Sequence, residues 1–133
     1  MTLHWVNEIE QSFKNFLHTL EADGVFISTS FGGNTLQELR ISFNLAEQER
    51  DGGVSPVVSP MLTAVDLGNI FARAKFTMPT VDIAHNVALF SDAFALMDYL
   101  QTIGEQSAMF EGQRPKSQEI FLSAAAIMQT LFN

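Results

Sequence analysis

The chain has 133 residues, 47% of them hydrophobic, with 12 Phe, no Cys and a formal net charge of -8. That length can bury the core of one domain, and the apolar content excludes a disordered chain. The missing cysteine excludes disulfides and thiolate metal sites, and 7 Lys and Arg scattered over an acidic chain exclude a nucleic-acid patch.

No apolar run approaches the ~18 residues that would span a membrane. The first residues carry neither a signal peptide nor an Arg-rich transit peptide. From Asn7 to Ala22, Ile9, Phe13, Phe16, Leu17 and Leu20 recur at helical spacing, with Asn7 and Glu10 as a capping-box-like start and Asp23-Gly24 as the stop. Val25 to Ser30 is a short apolar, β-branched run that predicts a buried strand, turned off the sheet by Phe31-Gly32-Gly33. A second helix is expected from Thr35 to Arg50, capped by Asn34, with Leu36, Leu39, Phe43 and Leu45 partly facing a core. Asp51-Gly52-Gly53 ends it, and "VSPVVSPM" with Pro56 and Pro60 reads as an extended, ordered loop.

Thr63 with Asp66 opens a third helix, through Leu67, Ile70 and Phe71 to about Ala74. Val81, Ile83, Val87 and Leu89 then alternate with Asp82, Ala84, Asn86 and Ala88, which predicts a half-buried strand. Ser91 is the expected cap of a fourth helix through Phe94, Met97, Leu100 and Ile103, stopped by Gly104. After the polar stretch "EGQRPKS", a last helix carries Ile120, Ala124, Ile127, Met128 and Leu131 on its apolar side. Five helices and two strands result, and two strands make a poor sheet. The alternation implies an α/β layered fold whose other strands are missing or come from another chain.

Candidate chemistry is sparse. "SFGGNT" sits where phosphate loops sit, but it lacks the third glycine of a dinucleotide fingerprint and the Lys-Ser/Thr of a P-loop, so a plain turn is the simpler reading. His4, His18 and His85 have no metal-like spacing; His18 belongs on the polar side of its helix, and His85 takes an inward strand position as a core histidine. No metal site is expected. Glu47, Glu49, Arg50 and Asp51 read as a solvated charge run, with acid/base work the weaker alternative. Arg40 could hold an anionic group, although an ion pair with Glu38 or Glu47 is favoured. The indole of Trp5, beside His4, suits either the wall of a ligand cleft or a staple holding the helix to the core, and residue types do not choose between them.

Five stretches, taken in order, carry a resemblance: "LHWVN" with its helix and "DGVFI", "FGGNTLQELR" at 31–40, "AEQERDGGVSPVVSP" at 46–60, "DLGNIFARAKF" at 66–76 and "LMDYLQTIGEQSA" at 96–108. The first resembles the stretch after the fourth strand of class I S-adenosylmethionine-dependent methyltransferases. The ordered set resembles one branch, which includes a mitochondrial complex I assembly factor proposed to hydroxylate arginine and biotin-synthesis-methyltransferase-like bacterial relatives. Each motif is weak alone, and together they cover nearly the whole chain.

The resemblance implies a partial Rossmann-like methyltransferase fold that retains the fifth and sixth strands of a 3-2-1-4-5-7-6 sheet. The glycine-rich loop and the ribose-holding acidic residue of the family have no counterpart, and both would lie upstream. Residues 1–133 are thus expected to be the C-terminal portion of a methyltransferase-like domain without its cofactor-binding half. Leu3, His4 and Trp5 match the turn bordering the cofactor and substrate cleft, and Phe31 matches the same rim. Arg40, Arg50, Ser55 and Pro56 fall in segments that match the substrate-side cover. None is expected to be catalytic.

Full-length relatives imply S-adenosylmethionine-dependent methyl transfer, or protein arginine hydroxylation. This chain alone is expected to be inactive and not to bind that cofactor. The expected partner is a respiratory complex I subunit or a chain that completes the sheet, with self-association as a further possibility and no nucleic acid. The mitochondrion is the implied compartment and the cytoplasm the alternative. A different class of function is a non-enzymatic assembly module that needs a partner to complete its sheet.

Overall fold

The structure, a computed structural model, describes residues 3–105 and 116–132. A 3-10 turn at Leu3–Trp5 precedes five α-helices: α1 (Ile9–Thr19), α2 (Gln37–Arg50), α3 (Ala64–Arg73), α4 (Ala93–Thr102) and α5 (Gln118–Phe132). The chain forms two compact units, one of Met1–Thr35 with Met61–His85 and the other of Leu36–Pro60 with Asn86–Asn133. "EGQRPKS" and the end of "LMDYLQTIGEQSA" lie largely outside the described residues.

The first unit is built on aromatic packing. Helical spacing sets Ile9, Phe13 and Phe16 on one side of α1, and Phe13 is only 1% exposed at the centre of the cluster. Its ring meets Phe71 of α3 edge-on at 5.1 Å and Phe26 at 5.5 Å. Edge-on pairs add about 0.5–1.5 kcal/mol each beyond the area they bury. α3 begins as the sequence suggests: the Thr63 hydroxyl accepts the Asp66 N–H at 3.2 Å, and the Thr63 N–H donates to the Asp66 carboxylate at 3.0 Å. It ends in a Schellman motif in which Phe76 N–H donates to Phe71 O at 3.0 Å and Lys75 holds the left-handed position, φ 67°. The Phe71 and Phe76 rings, 5.4 Å apart, supply the apolar contact that accompanies this motif.

α1 is shorter than its apolar spacing implies. Glu8, not Asn7, holds the N-cap position without a side-chain bond, and Leu20 leaves in an extended conformation. Asp23 takes the left-handed turn at φ 63°. Gly24 is needed for room, because a Cβ there would sit 2.9 Å from the Glu21 carbonyl.

The second unit packs α2 mainly against α5, with α4 alongside. Leu39, Phe43 and Ala46 meet Leu96, Leu100, Ile120 and Ala124, and the two alanines of the α2–α5 seam are wholly covered. α2 starts at Gln37 rather than Thr35, after Leu36 in a left-handed conformation at φ 56°. Leu36 packs on the core, which offsets a backbone cost of about 1–2 kcal/mol that Asn34 capping would have avoided. Leu45 is exposed instead of facing that core. Asp92, rather than Ser91, caps α4 by accepting the Ala95 N–H at 2.8 Å, and Gly104 ends it at φ 80°.

The two expected strands are not present: among the described residues there is no strand, only an isolated parallel bridge between Gly32 and Leu62. Of the partial Rossmann-like α/β architecture, the five helices are therefore observed and the fifth and sixth strands are not. The reason is physical, since a strand exists only where a neighbour exchanges N–H and C=O groups with it. In 25–30 and 81–89 the apolar residues alternate or cluster as the sequence shows, but Val25, Ile27, Ile83, Val87 and Leu89 stand in solvent. His85 is accordingly exposed, not a core histidine, while His18 is exposed as expected.

Candidate functional site

Leu3, His4, Trp5 and Phe31, the residues expected at a cleft rim, all lie in the first unit. The turn at Leu3–Trp5 is closed by Val6 N–H donating to Leu3 O at 3.1 Å. His4 lies 5.3 Å, centroid to centroid, from Trp5 and 6.0 Å from Phe31. Leu3 packs against the Phe13 cluster, whereas Trp5 stays exposed. It is Leu3, then, that fastens the turn to the core, leaving the indole as an outward-facing aromatic surface.

In the second unit Arg40, Ser55 and Pro56 line one open groove of about 390 Å³, together with Phe43, Val54 and Val58. Arg50 is not among its lining residues and lies exposed at the end of α2. The Arg40 Nη2 donates to the Ser59 carbonyl at 3.2 Å, so the guanidinium is tied to the same loop that forms the groove wall.

The residue that fixes this loop is one the charge run concealed. Glu47 is 1% exposed, not solvated, and its carboxylate reaches from α2 to Ser55. The Ser55 N–H donates to Oε2 at 2.6 Å and the Ser55 hydroxyl to Oε1 at 2.5 Å. The Lys116 ammonium completes the set as the salt-bridge partner of Oε1, so Glu47 pairs with Lys116 rather than with Arg40. Burial favours the protonated acid, but the bonds from Lys116 and Ser55 outweigh it and hold the Glu47 carboxyl below its usual range. Charge-assisted bonds of this kind are short and strong. The rest of the run, Glu49, Arg50 and Asp51, is exposed as expected. A signal was present: Glu47 follows Leu39, Phe43 and Ala46 at the spacing of α2's inner face.

The "SFGGNT" stretch forms a turn in which Thr35 N–H donates to Gly32 O at 2.9 Å. Among the described residues no group of three or more His, Asp or Glu could hold a metal ion, and no helix is long and apolar enough to cross a membrane.

Neither a family model nor a solved structure matches the chain. Curated relatives do. The mitochondrial arginine-hydroxylase NDUFAF5 of Dictyostelium discoideum is 40% identical over 132 residues, 99% of this chain and 30% of that protein. NDUFAF5 of Homo sapiens is 39% identical over 132 residues, covering 99% of this chain and 38% of the human protein. A malonyl-[acyl-carrier protein] O-methyltransferase of Methylovorus sp. is 27% identical over 108 residues, 81% of this chain and 34% of that enzyme. Over the third or so of their length that it spans, this chain is a homologue of the mitochondrial NDUFAF5 arginine hydroxylases and, more distantly, of bacterial methyltransferases.

Proposed function

We propose that the chain forms the C-terminal portion of a methyltransferase-like domain of the arginine-hydroxylase branch, supplying cleft rim and substrate-side wall rather than the main cofactor pocket. The observation that carries this is the similarity to NDUFAF5 proteins along 99% of the chain. On this reading the complete protein works in the mitochondrion, on a protein arginine or by methyl transfer, in the service of respiratory complex I assembly.

S-adenosylmethionine is the group the methyltransferase relatives imply. Its ribose diol needs paired acceptors and its amino-acid end needs charged or backbone partners. The Leu3, His4, Trp5 and Phe31 set offers aromatic faces and one imidazole. Those groups can border an adenosyl moiety and do not make a site for it. What this chain's residues do is position. The Glu47 carboxylate pins the Ser55 loop, and Arg40 ties Ser59 to α2, giving the groove a preorganised wall.

Titration calorimetry of S-adenosylmethionine into the purified chain tests the reading. No saturable binding is the expected result, and binding at micromolar concentration would overturn it.

A further inference from the structure

The loop that walls the Arg40 groove carries the pair Ser-Pro twice, at Ser55-Pro56 and at Ser59-Pro60. A proline holds the residue before it in an extended conformation, the form in which a protein kinase takes up its substrate segment. By sequence the two serines are equal targets. The structure separates them. The Ser55 hydroxyl donates to Glu47 Oε1 at 2.5 Å and its N–H to Oε2 at 2.6 Å, against a carboxylate that is wholly covered. A phosphoryl group on Ser55 would exchange that donated proton for a dianion beside a buried anion, and the Lys116 charge is already matched to Glu47. Ser59 is held through its main chain instead. Its carbonyl accepts from Arg40 Nη2 at 3.2 Å, and among the described residues its hydroxyl makes no hydrogen bond.

That bond brings a guanidinium to the very residue that would carry the phosphate, and arginine pairs with phosphate through short, charge-assisted bonds. Arg40 is also the one charged side chain among the described residues that line the groove, and Val58 and Pro60, the neighbours of Ser59, line it as well. We propose that Ser59 is a phosphorylation site whose phosphate is received by Arg40, while Ser55 in the same loop is shielded by Glu47. In the transfer, the Ser59 Oγ attacks the γ-phosphorus of ATP held by the kinase. The bond from that phosphorus to the β–γ bridging oxygen breaks, ADP leaves, and the hydroxyl proton passes to the carboxylate base of the kinase. The phosphate then takes up the charge of Arg40 and sets a dianion at the edge of the groove, so the groove no longer offers its cation to an anionic ligand. The inference needs nothing from the proposed function and adds a control on the wall which that reading assigns to the substrate side.

The test treats the full chain with a purified proline-directed serine/threonine kinase and magnesium ATP, and maps the phosphate by tandem mass spectrometry. Freeing Ser55 means breaking a bond to a charged group, so Ser59 should carry at least about tenfold more phosphate than Ser55. Phosphorus-31 NMR of the product should show the second ionisation of the Ser59 phosphate below its ordinary value of about 6. Arg40→Gln should return that ionisation to the ordinary value, and Glu47→Gln should raise the labelling of Ser55 towards that of Ser59. Equal labelling of the two serines in the unaltered chain overturns the inference, as does an unlabelled Ser59. So does a Ser59 phosphate that titrates at its ordinary value in the unaltered chain, a result that depends on no variant. Binding of S-adenosylmethionine by the chain would overturn the proposed function and leave this inference untouched.

Discussion

The two units reach stability by different chemistry. The first gathers Phe13, Phe16, Phe26, Phe71 and Phe76 into a cluster of mainly edge-on rings. The second sets small residues in a helix seam and adds an ionised carboxylate, wholly covered, as the clasp of a loop. The contrast teaches which losses each can absorb. An aromatic cluster fails by cavity formation, whereas a buried ion set fails when one member leaves the others unpaired.

The largest expected effect is on the first unit. Phe13→Ala should cost about 3–5 kcal/mol, the range for a fully buried phenylalanine, and denaturant unfolding followed by region-resolved hydrogen exchange should show the loss in α1 and α3 first. If both units lose protection equally, the comparison between them fails. Glu47→Gln should cost about 2 kcal/mol through its weakened bonds to Lys116 and Ser55, and should speed exchange at 54–60 while sparing α1 and α3.

Acid sharpens the same contrast. The Glu47 carboxyl is held below the ordinary value of 4.5, so its contribution is complete above that value and disappears as pH falls through the lower folded one. The second unit should therefore lose stability below about pH 4.5 in a way that Glu47→Gln removes, measured as melting temperature against pH. Smaller still, Thr63→Ala should cost about 1 kcal/mol by opening the cap of α3, read from thermal melts. Lys75→Gly should go the other way and stabilise by about 1 kcal/mol, because glycine takes φ 67° without the steric cost that lysine bears.

What the sequence discloses depends on how local the cause is. The five helices follow from apolar spacing, and the Thr63–Asp66 box is visible because both partners lie within one turn. Phe26 beside Val25 and Ile27 shows the alternation of a strand, yet strand formation needs a neighbour, and a neighbour is not a local property. The Asn34 and Ser91 caps fail for a related reason: Leu36 and Asp92 win those ends through core packing and a better acceptor. His4 does lie beside Trp5 and Phe31, while Arg50 stays apart from the groove of Arg40, Ser55 and Pro56. Glu47 was hidden because its charge reads as solvent-facing, and only its place on α2's inner face contradicts that.

The covered pair Ala46 and Ala124 also limits how this sequence can drift. Side chains of zero exposure in the α2–α5 seam leave no room for growth, so a valine at either position would act as a wedge of about 1–3 kcal/mol. Exchange to glycine escapes the wedge but loosens a helix interior by about 1 kcal/mol. Substitution at these two positions is thus confined from both directions, and lineages that change one should be found to have reshaped the facing helix as well.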